Sequence, residues 1–186
     1  LVRGTDLEGW VSDSKFSYAY KSKAHFDADA YTWGLKKSAG FEPTLVTGGA
    51  VQECEPILGP AVQCLAVLEG QGHIVNPGQY ITELTKYFTK KGGKFIQAEV
   101  RDLHKIDGRI SHIETDKGSF ECSRAVITAG IWSKDLMKKI GLKVPLEAER
   151  GYHVIFENPS EMPRNPMMIA AGKFAVNPMD MGLRCA

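Results

Sequence analysis

The sequence lacks several features that would assign a function directly. No apolar run approaches the roughly 20 residues needed to cross a bilayer, so no membrane-spanning helix is predicted. The four cysteines, Cys54, Cys64, Cys122 and Cys185, form no Cys-x-x-Cys pair, which argues against a zinc or thiol-redox motif. No two His, Asp or Glu residues have a recognised ligand spacing, so we predict no metal site and no metal-dependent hydrolase.

A block of charge of one sign is also missing. The 186 residues include 23 basic and 22 acidic side chains, mixed along the chain, for a net charge of +1. No nucleic-acid partner is therefore predicted. No secretory signal is visible, and we expect reduced thiols in a cytoplasmic protein. Residue 1 is Leu rather than Met, so the natural N-terminus is expected to lie upstream.

The most informative stretch runs from Ala125 to Leu142. An apolar, partly β-branched run at 125–128 predicts a buried strand, and the small residues Ala129 and Gly130 allow a tight turn. Apolar residues then recur at helical spacing from Trp132 to Ile140, and Gly141 is a stop signal. Such a unit can present backbone N–H groups to a polar or anionic cofactor. On spacing alone, an ordinary crossover that binds nothing is the favoured interpretation, because such units are common and a fold does not fix a function.

Periodicity and turn signals predict the remaining elements. Helices are expected at 26–39, 50–54 and 77–91, the last with Asn76 as its cap and Pro77 in its first turn. Turns at 107–108 and 116–118 predict a three-stranded meander. Residues 1–15 and 158–166 are predicted loops. The predicted strands are 16–20, 62–68, 73–75, 94–100, 100–105, 109–115, 119–122, 125–128, 146–156, 167–171 and 174–176.

Two segments carry a family resemblance. Residues 126–133 and 144–154 resemble the FAD-dependent oxidoreductases of the D-amino-acid oxidase/dehydrogenase family, and most of all the D-amino-acid dehydrogenases. Further matches, in family order, are 55–58, 72–77, 99–103 and 182–184, so the resemblance extends over most of the chain.

The resemblance implies an α+β fold. An antiparallel-sheet substrate domain would comprise residues 16–75 and 143–186, and part of an α/β FAD-binding domain would comprise residues 76–142. The Gly-x-Gly-x-x-Gly unit that opens the family's flavin domain is absent from the sequence. We therefore expect an internal fragment that also lacks the C-terminal part of the family fold. Because the main pyrophosphate site would be missing, the fragment alone is expected to bind FAD weakly or not at all and to be inactive.

The resemblance also implies a set of cofactor contacts. Val100 corresponds to the position where the family backbone pairs with the adenine edge, and Ala129, Gly130 and Trp132 lie in the turn near the flavin. The residues alone leave two alternatives open, since Val100 also suits a plain core position and Trp132 suits a hydrophobic anchor under the helix.

Candidate substrate contacts come from the requirement to hold an amino-acid carboxylate. A bidentate arginine does this best, and Arg150 and Arg184 are the candidates, with Tyr152 and His153 as further pocket residues. Each arginine also suits an ion pair, and His153 suits an ordinary strand histidine. No catalytic acid or base is predicted, because a flavin accepts a hydride from the carbon bearing the amine and the imine then hydrolyses in water.

The predicted function is oxidative deamination of D-amino acids by hydride transfer to FAD. The alternatives are a flavin-dependent oxidase of glycine, sarcosine or another secondary amine, and a non-enzymatic α+β binding module. The partners expected are a small amino-acid substrate and an electron acceptor, a quinone or another carrier. The full-length enzyme would be cytoplasmic or peripheral on the inner membrane.

Overall fold

The structure is a computed structural model that describes residues 2–186. Its strands are β1 (Val11–Tyr20), β2 (Thr44–Thr47), β3 (Cys64–Ile74), β4 (Val100–Ile106), β5 (Arg109–Thr115), β6 (Gly118–Glu121), β7 (Val154–Phe156), β8 (Met167–Ile169), β9 (Phe174–Met179) and β10 (Gly182–Cys185). Its helices are α1 (Lys23–Ala28), α2 (Ala30–Ser38), α3 (Ala50–Cys54), α4 (Pro77–Lys90) and α5 (Ser133–Lys139), with 3₁₀ turns at Glu8–Trp10 and Gly130–Trp132. None of the helices among the described residues is long and apolar enough to cross a bilayer.

The chain forms two compact units, which confirms the α+β class. The first contains the residues up to Gly92 together with Gly151–Ala186, and the second contains Gly93–Arg150. These boundaries differ from the predicted ones at 75/76 and 142/143, and α4 lies in the first unit. The assignment of a substrate domain and a flavin domain stays a prediction.

A seven-stranded sheet dominates the first unit, in the order β2-β3-β1-β8-β9-β10-β7. Only the β1–β8 pair is parallel, and the other neighbours are antiparallel. Because side chains alternate across a strand, the sheet has two apolar faces. One packs on α3 and the following corner, around Leu65, Val67 and Met167. The other packs on α1 and α2, around Tyr20 and Trp33.

Two predicted strand ends are wrong because pairing extends the strands. Residues 11–15, predicted as loop, belong to β1, and residues 64–74 form one strand rather than two. Val11 pairs with Ile74 and Tyr20 pairs with Cys64, with a bulge between Ser14 and Phe16. A ladder partner thus holds polar residues extended where their own sequence favours a loop.

The single helix predicted at 26–39 is interrupted at Asp29. This residue has φ −91° and ψ 23° and separates α1 from α2. Its carboxylate accepts a 2.9 Å hydrogen bond from the Tyr20 hydroxyl, and the Trp33 Nε1–H donates to the same hydroxyl at 2.8 Å. Asp is a weak helix former whose short polar side chain makes local bonds. The contact to β1 therefore explains the break that periodicity alone misses.

Tyr20 is expected to make the stability depend on alkaline pH. Its side chain is 1% exposed, and burial, together with Asp29, raises its pKa to about 12. An unfolded tyrosine titrates near pH 10. Tyr20 thus contributes stability that is fully present below about pH 10 and is lost as the pH rises through about 12.

Urea unfolding of the wild type and the Tyr20→Phe variant between pH 8 and pH 12 checks this. At the lower end of this pH range, the free energy of unfolding of the variant is expected to be about 1–3 kcal/mol below that of the wild type, because the Trp33 N–H loses its acceptor. Above about pH 10, the free energy of unfolding of the variant is expected to fall less steeply with pH. Tyr31→Phe is the matched control, since Tyr31 is 81% exposed. If the free energy of unfolding fell equally with rising pH in the wild type and in Tyr20→Phe, the raised pKa of Tyr20 would not be the cause of the alkaline loss.

The second unit is built on the sheet β4-β5-β6, and both predicted turns are confirmed. Asp107 and Gly108 connect β4 to β5 with positive φ values of 51° and 77°, as a tight hairpin of this type requires. Leu103, only 6% exposed, pairs with Ile113 across the sheet. α5 packs against β4, which closes the apolar face of this sheet.

Three predicted strands are wrong in whole or in large part. No ladder forms over residues 94–99 or 125–128, and only Val154–Phe156 of the predicted strand 146–156 is paired. Several apolar side chains of these segments are exposed, including Phe95 at 68% and Val126 at 88%. An apolar run becomes a strand only beside a partner, and no strand pairs with these runs among residues 2–186.

Candidate functional site

The second unit contains an apolar cavity of about 230 Å³ that brings together two predicted cofactor residues. Val100 is the first residue of β4, and Ala129 directly precedes the 3₁₀ turn Gly130–Trp132. The other lining residues are Leu103, Ile113, 125–128 and Leu136, none of which was predicted as a cofactor contact. Val100 is 40% exposed. It is therefore not a fully buried core residue, which was the alternative interpretation of this position.

The turn beside this cavity exposes backbone donors. Within residues 2–186, no N–H group from Val126 to Ile131 donates to a protein acceptor. Gly130 has φ +57°, and a side chain built on it would meet no atom within 4 Å. The predicted tight turn is therefore observed, with a glycine in the left-handed region and open space next to it.

Trp132 ends the 3₁₀ turn and is 73% exposed. It lines a different cavity, together with Ile131, Asp135 and Leu146. An anchor packed beneath the helix would be buried, so the structure contradicts that alternative and leaves the indole face available to a ligand.

The C-terminal end of α5 is bonded to β4. Lys139 Nζ donates to the Arg101 carbonyl, and Lys105 Nζ donates to the Ile140 carbonyl at 2.6 Å. Cations at a helix C-terminus offset the partial negative charge of the last carbonyls. These two lysines thus connect the end of α5 to β4.

The predicted substrate residues lie in different surroundings. Arg184, in β10, lines a cavity of about 480 Å³ in the first unit. Tyr152 and His153 of the same unit are exposed, precede β7 and do not line that cavity. Arg150 is the last residue of the second unit and is exposed. The alternative role for both arginines was an ion pair with an acidic side chain. Among the described residues, neither Arg150 nor Arg184 forms one.

Two polar residues share the cavity with Arg184 and were not predicted as site residues. They are His73, from the end of β3, and Asn177, from β9. The Nδ1 atom of His73 is buried and has no hydrogen-bond partner within residues 2–186. A buried polar atom without a partner is rare in proteins. Sequence spacing offers no signal here, because β3 is distant in the chain from β9 and β10.

No metal centre is evident in the described part of the chain. No group of three or more His, Cys, Asp or Glu residues is arranged to hold an ion. The nearest approach is on β4 and β5, where the rings of His104 and His112 stack 4.3 Å apart and His104 Nε2 lies 3.1 Å from Glu114 Oε2.

Comparison with known protein families identifies the chain. Residues 3–185 match the model of the FAD dependent oxidoreductase family, so the chain belongs to that family. It is 34% identical over 169 residues to a D-amino-acid oxidase of Bradyrhizobium diazoefficiens, covering 91% of this chain and 40% of that protein. It is 27% identical over 111 residues to a D-amino acid dehydrogenase of Vibrio atlanticus, covering 58% of this chain and 27% of that protein.

Solved structures share the fold. The glycine oxidase of Geobacillus kaustophilus superimposes with a TM-score of 0.75 at 18% identity, over 95% of this chain and 47% of that one. The L-proline dehydrogenase of P. horikoshii superimposes with a TM-score of 0.76 at 13% identity, over 94% of this chain and 48% of that one. The chain thus spans about half the length of these proteins or less. The relatives bear both oxidase and dehydrogenase names and do not favour the dehydrogenases.

The family's cofactor is FAD, and the turn in the second unit fits part of it. A flavin ring system is flat, with apolar faces and polar edges that accept hydrogen bonds. The cavity from Val100 to Ala129 offers an apolar wall, and the N–H groups of residues 126–131 offer donors. A glycine at residue 130 permits close backbone approach.

Proposed function

We propose that the chain is part of a flavin-dependent enzyme that oxidatively deaminates D-amino acids. FAD would supply the acceptor for the hydride leaving the carbon that bears the amine. The family match over residues 3–185 carries the proposal, and the D-amino-acid oxidase and D-amino acid dehydrogenase relatives support the substrate class.

The chain's own residues would bind and orient the two reactants. The backbone of Val100 would pair with the adenine edge of FAD, and the turn from Ala129 to Trp132 would lie near the flavin. Arg184 would hold the substrate carboxylate, because a planar guanidinium matches it bidentately.

Arg150, Tyr152 and His153 remain proposed substrate contacts in the complete protein. Their exposure leaves them free to bind a ligand. Arg150 is the second candidate for the carboxylate, and Tyr152 and His153 would line the pocket through a phenol and an imidazole.

A second candidate function is oxidation of glycine, sarcosine or another secondary amine. The glycine oxidase relatives favour it. The complete protein would be cytoplasmic or peripheral on the inner membrane, and it would pass electrons to a quinone, to another carrier or, as an oxidase, to oxygen.

Assays of the intact gene product decide between these functions. The purified holoenzyme is given a panel of D-amino acids, L-amino acids, glycine and sarcosine, with oxygen or a soluble quinone as acceptor. Turnover of several D-amino acids, and slow turnover of glycine and sarcosine, is the expected result. Preference for glycine or sarcosine would transfer the assignment to the second candidate. Failure to turn over any amine would overturn both.

Substitution of Gly130 by valine in the intact protein is expected to weaken FAD binding. The left-handed backbone at φ +57° costs an L-residue about 1–2 kcal/mol, and the turn will shift to relieve it. We expect about tenfold weaker FAD binding, the equivalent of about 1.4 kcal/mol, measured by flavin fluorescence on titration of the apoprotein.

Gly141→Val is the matched control for this change. Gly141 also has a positive φ, of 84°, but it lies at the far end of α5. Its substitution is expected to lower stability and leave FAD affinity unchanged. Unaltered FAD content in Gly130→Val would count against the assigned turn.

A further inference from the structure

The largest aromatic cluster of the first unit borders a cavity that the proposed reaction does not use. It lies between α1–α2 and the strands β1 and β8, with a volume of about 490 Å³. This is within the range of about 300–1,000 Å³ typical of small-molecule sites. It shares no lining residue with the cavity around Arg184.

The wall on the sheet side is apolar and rigid. It is formed by the ring of Tyr18 with Met168 and Ala170. The ring of Tyr18 packs edge-on against Trp33, with centroids 5.1 Å apart. The Tyr20 hydroxyl, which could have added a polar group, is already bonded to Trp33 and Asp29. This wall therefore suits a hydrocarbon or aromatic group.

Two lysines also line this cavity. Lys36 Nζ lies 4.7 Å from the ring centroid of Tyr18 and 4.8 Å from that of Trp33, so two aromatic faces position the cation. Lys173 lines the same cavity from the β8–β9 turn. Neither lysine forms an ion pair within residues 2–186, whereas the neighbouring Lys37 pairs with Glu42 at 2.9 Å.

The remaining polar groups favour an anion over a cation. Asp29 is the only carboxylate that lines the described cavity, and it already accepts the Tyr20 hydrogen bond. His25 adds a group that is neutral or positive. Two ammonium groups without an ion pair in the described part of the chain thus outweigh one engaged carboxylate, and the cavity favours an anionic group.

We propose that this cavity binds a small organic carboxylate. Its carboxylate pairs with Lys36 and Lys173, and its apolar or aromatic part lies against Tyr18, Met168 and Ala170. The site goes beyond the proposed amino-acid oxidation, since it depends on no residue assigned to the flavin or to the carboxylate of the oxidised substrate.

NMR titration of the ¹⁵N-labelled intact gene product with phenylacetate tests the proposal. Saturable shifts are expected in amides around Tyr18, Lys36 and Lys173, with a dissociation constant on the order of 1 mM, as for a weak fragment-sized ligand. Benzyl alcohol, which lacks the carboxylate, is expected to bind about tenfold more weakly, as loss of a charge-assisted contact predicts. Tighter binding of phenethylamine, a cation, would overturn the proposal.

Variants separate the site from non-specific binding. Lys36→Met retains the hydrophobic stem and removes the charge, and it is expected to weaken phenylacetate binding about tenfold. Lys37→Met, which removes a charge outside the cavity, is expected to leave it unchanged. Should Lys36→Met fail to fold, Lys173→Asn serves instead, because Asn tolerates the left-handed φ of 54° at that position. Equal affinity in wild type and either cavity variant, or shifts confined to other surfaces, would refute the site.

Discussion

Substitution of Gly182 by alanine is expected to destabilise the seven-stranded sheet by about 3 kcal/mol, the sum of backbone strain and steric overlap. Gly182 begins β10 with φ +123°, a conformation that L-residues rarely adopt. A Cβ atom there would lie 2.3 Å from the Phe156 carbonyl oxygen and 3.2 Å from the Glu157 Cα. These are backbone atoms of the paired strand β7 and the residue after it, so no side-chain rotation relieves the clash.

Urea unfolding of the purified chain measures this loss. Gly59→Ala is the matched control, because Gly59 has no positive φ and no atom within 4 Å of a built Cβ. It is expected to change stability by less than about 0.5 kcal/mol, as for an ordinary surface position. Hydrogen exchange would show whether Gly182→Ala acts through the β7–β10 pair, whose amides should exchange faster. A loss no larger than that of the control would refute the predicted clash.

Removal of the Glu55 carboxyl group is the second change with a large expected effect. Glu55 is 0% exposed. One of its oxygens accepts from the Arg164 backbone N–H at 2.9 Å, and the other accepts from Asn165 Nδ2 at 3.1 Å. The Asn165 side-chain oxygen in turn accepts from the Lys15 N–H at 3.0 Å, beside the bulge in β1. One buried side chain thus connects the corner after α3, the loop before β8 and the central strand.

Glu55→Ala leaves these donors without acceptors and opens a void. We expect a loss of about 3–5 kcal/mol, the usual cost of breaking a buried polar network. Glu55→Gln retains one acceptor oxygen, but its amide meets a donor on the other side, and about 1–3 kcal/mol is expected for the unsatisfied group.

Glu53→Ala serves as the control in the same urea titration. Glu53 is exposed, and only its backbone carbonyl is used, by the Arg164 guanidinium. We expect its stability to match the wild type. A wild-type midpoint for Glu55→Ala would show that the network contributes nothing.

Local signals predicted the elements that depend on few distant contacts. Asn76 caps α4 through the Gln79 N–H at 3.1 Å, with Pro77 in the first turn, and the hairpin at Asp107 and Gly108 forms as its residues require. The strand predictions were wrong where pairing with a distant strand decides whether a strand forms. Residues 11–15 are polar yet paired with β3, whereas residues 125–128 are apolar yet unpaired.

The candidate site divides in the same way. The turn at Ala129 and Gly130 could be predicted because small residues and positive φ leave a trace in sequence. Its cavity with Val100 could be inferred only from the family resemblance. The sequence proposed Arg184 but not the cavity that it shares with His73 and Asn177, because β3 is far along the chain from β9 and β10 and only the fold brings these side chains together.

The sequence by itself determined the family, the mixed fold class, the capped helix α4 and the glycine turn before α5. Each depends on residue identity at short range, where backbone sterics and capping bonds act within a few residues. The tertiary structure alone decided the strand lengths and pairing, the burial of Glu55 and the break at Asp29. It also decided which side chains surround Arg184 and Lys36. Each of these features depends on a backbone or side-chain group from a distant part of the chain, which satisfies a hydrogen bond or excludes water. The local sequence does not identify that distant group.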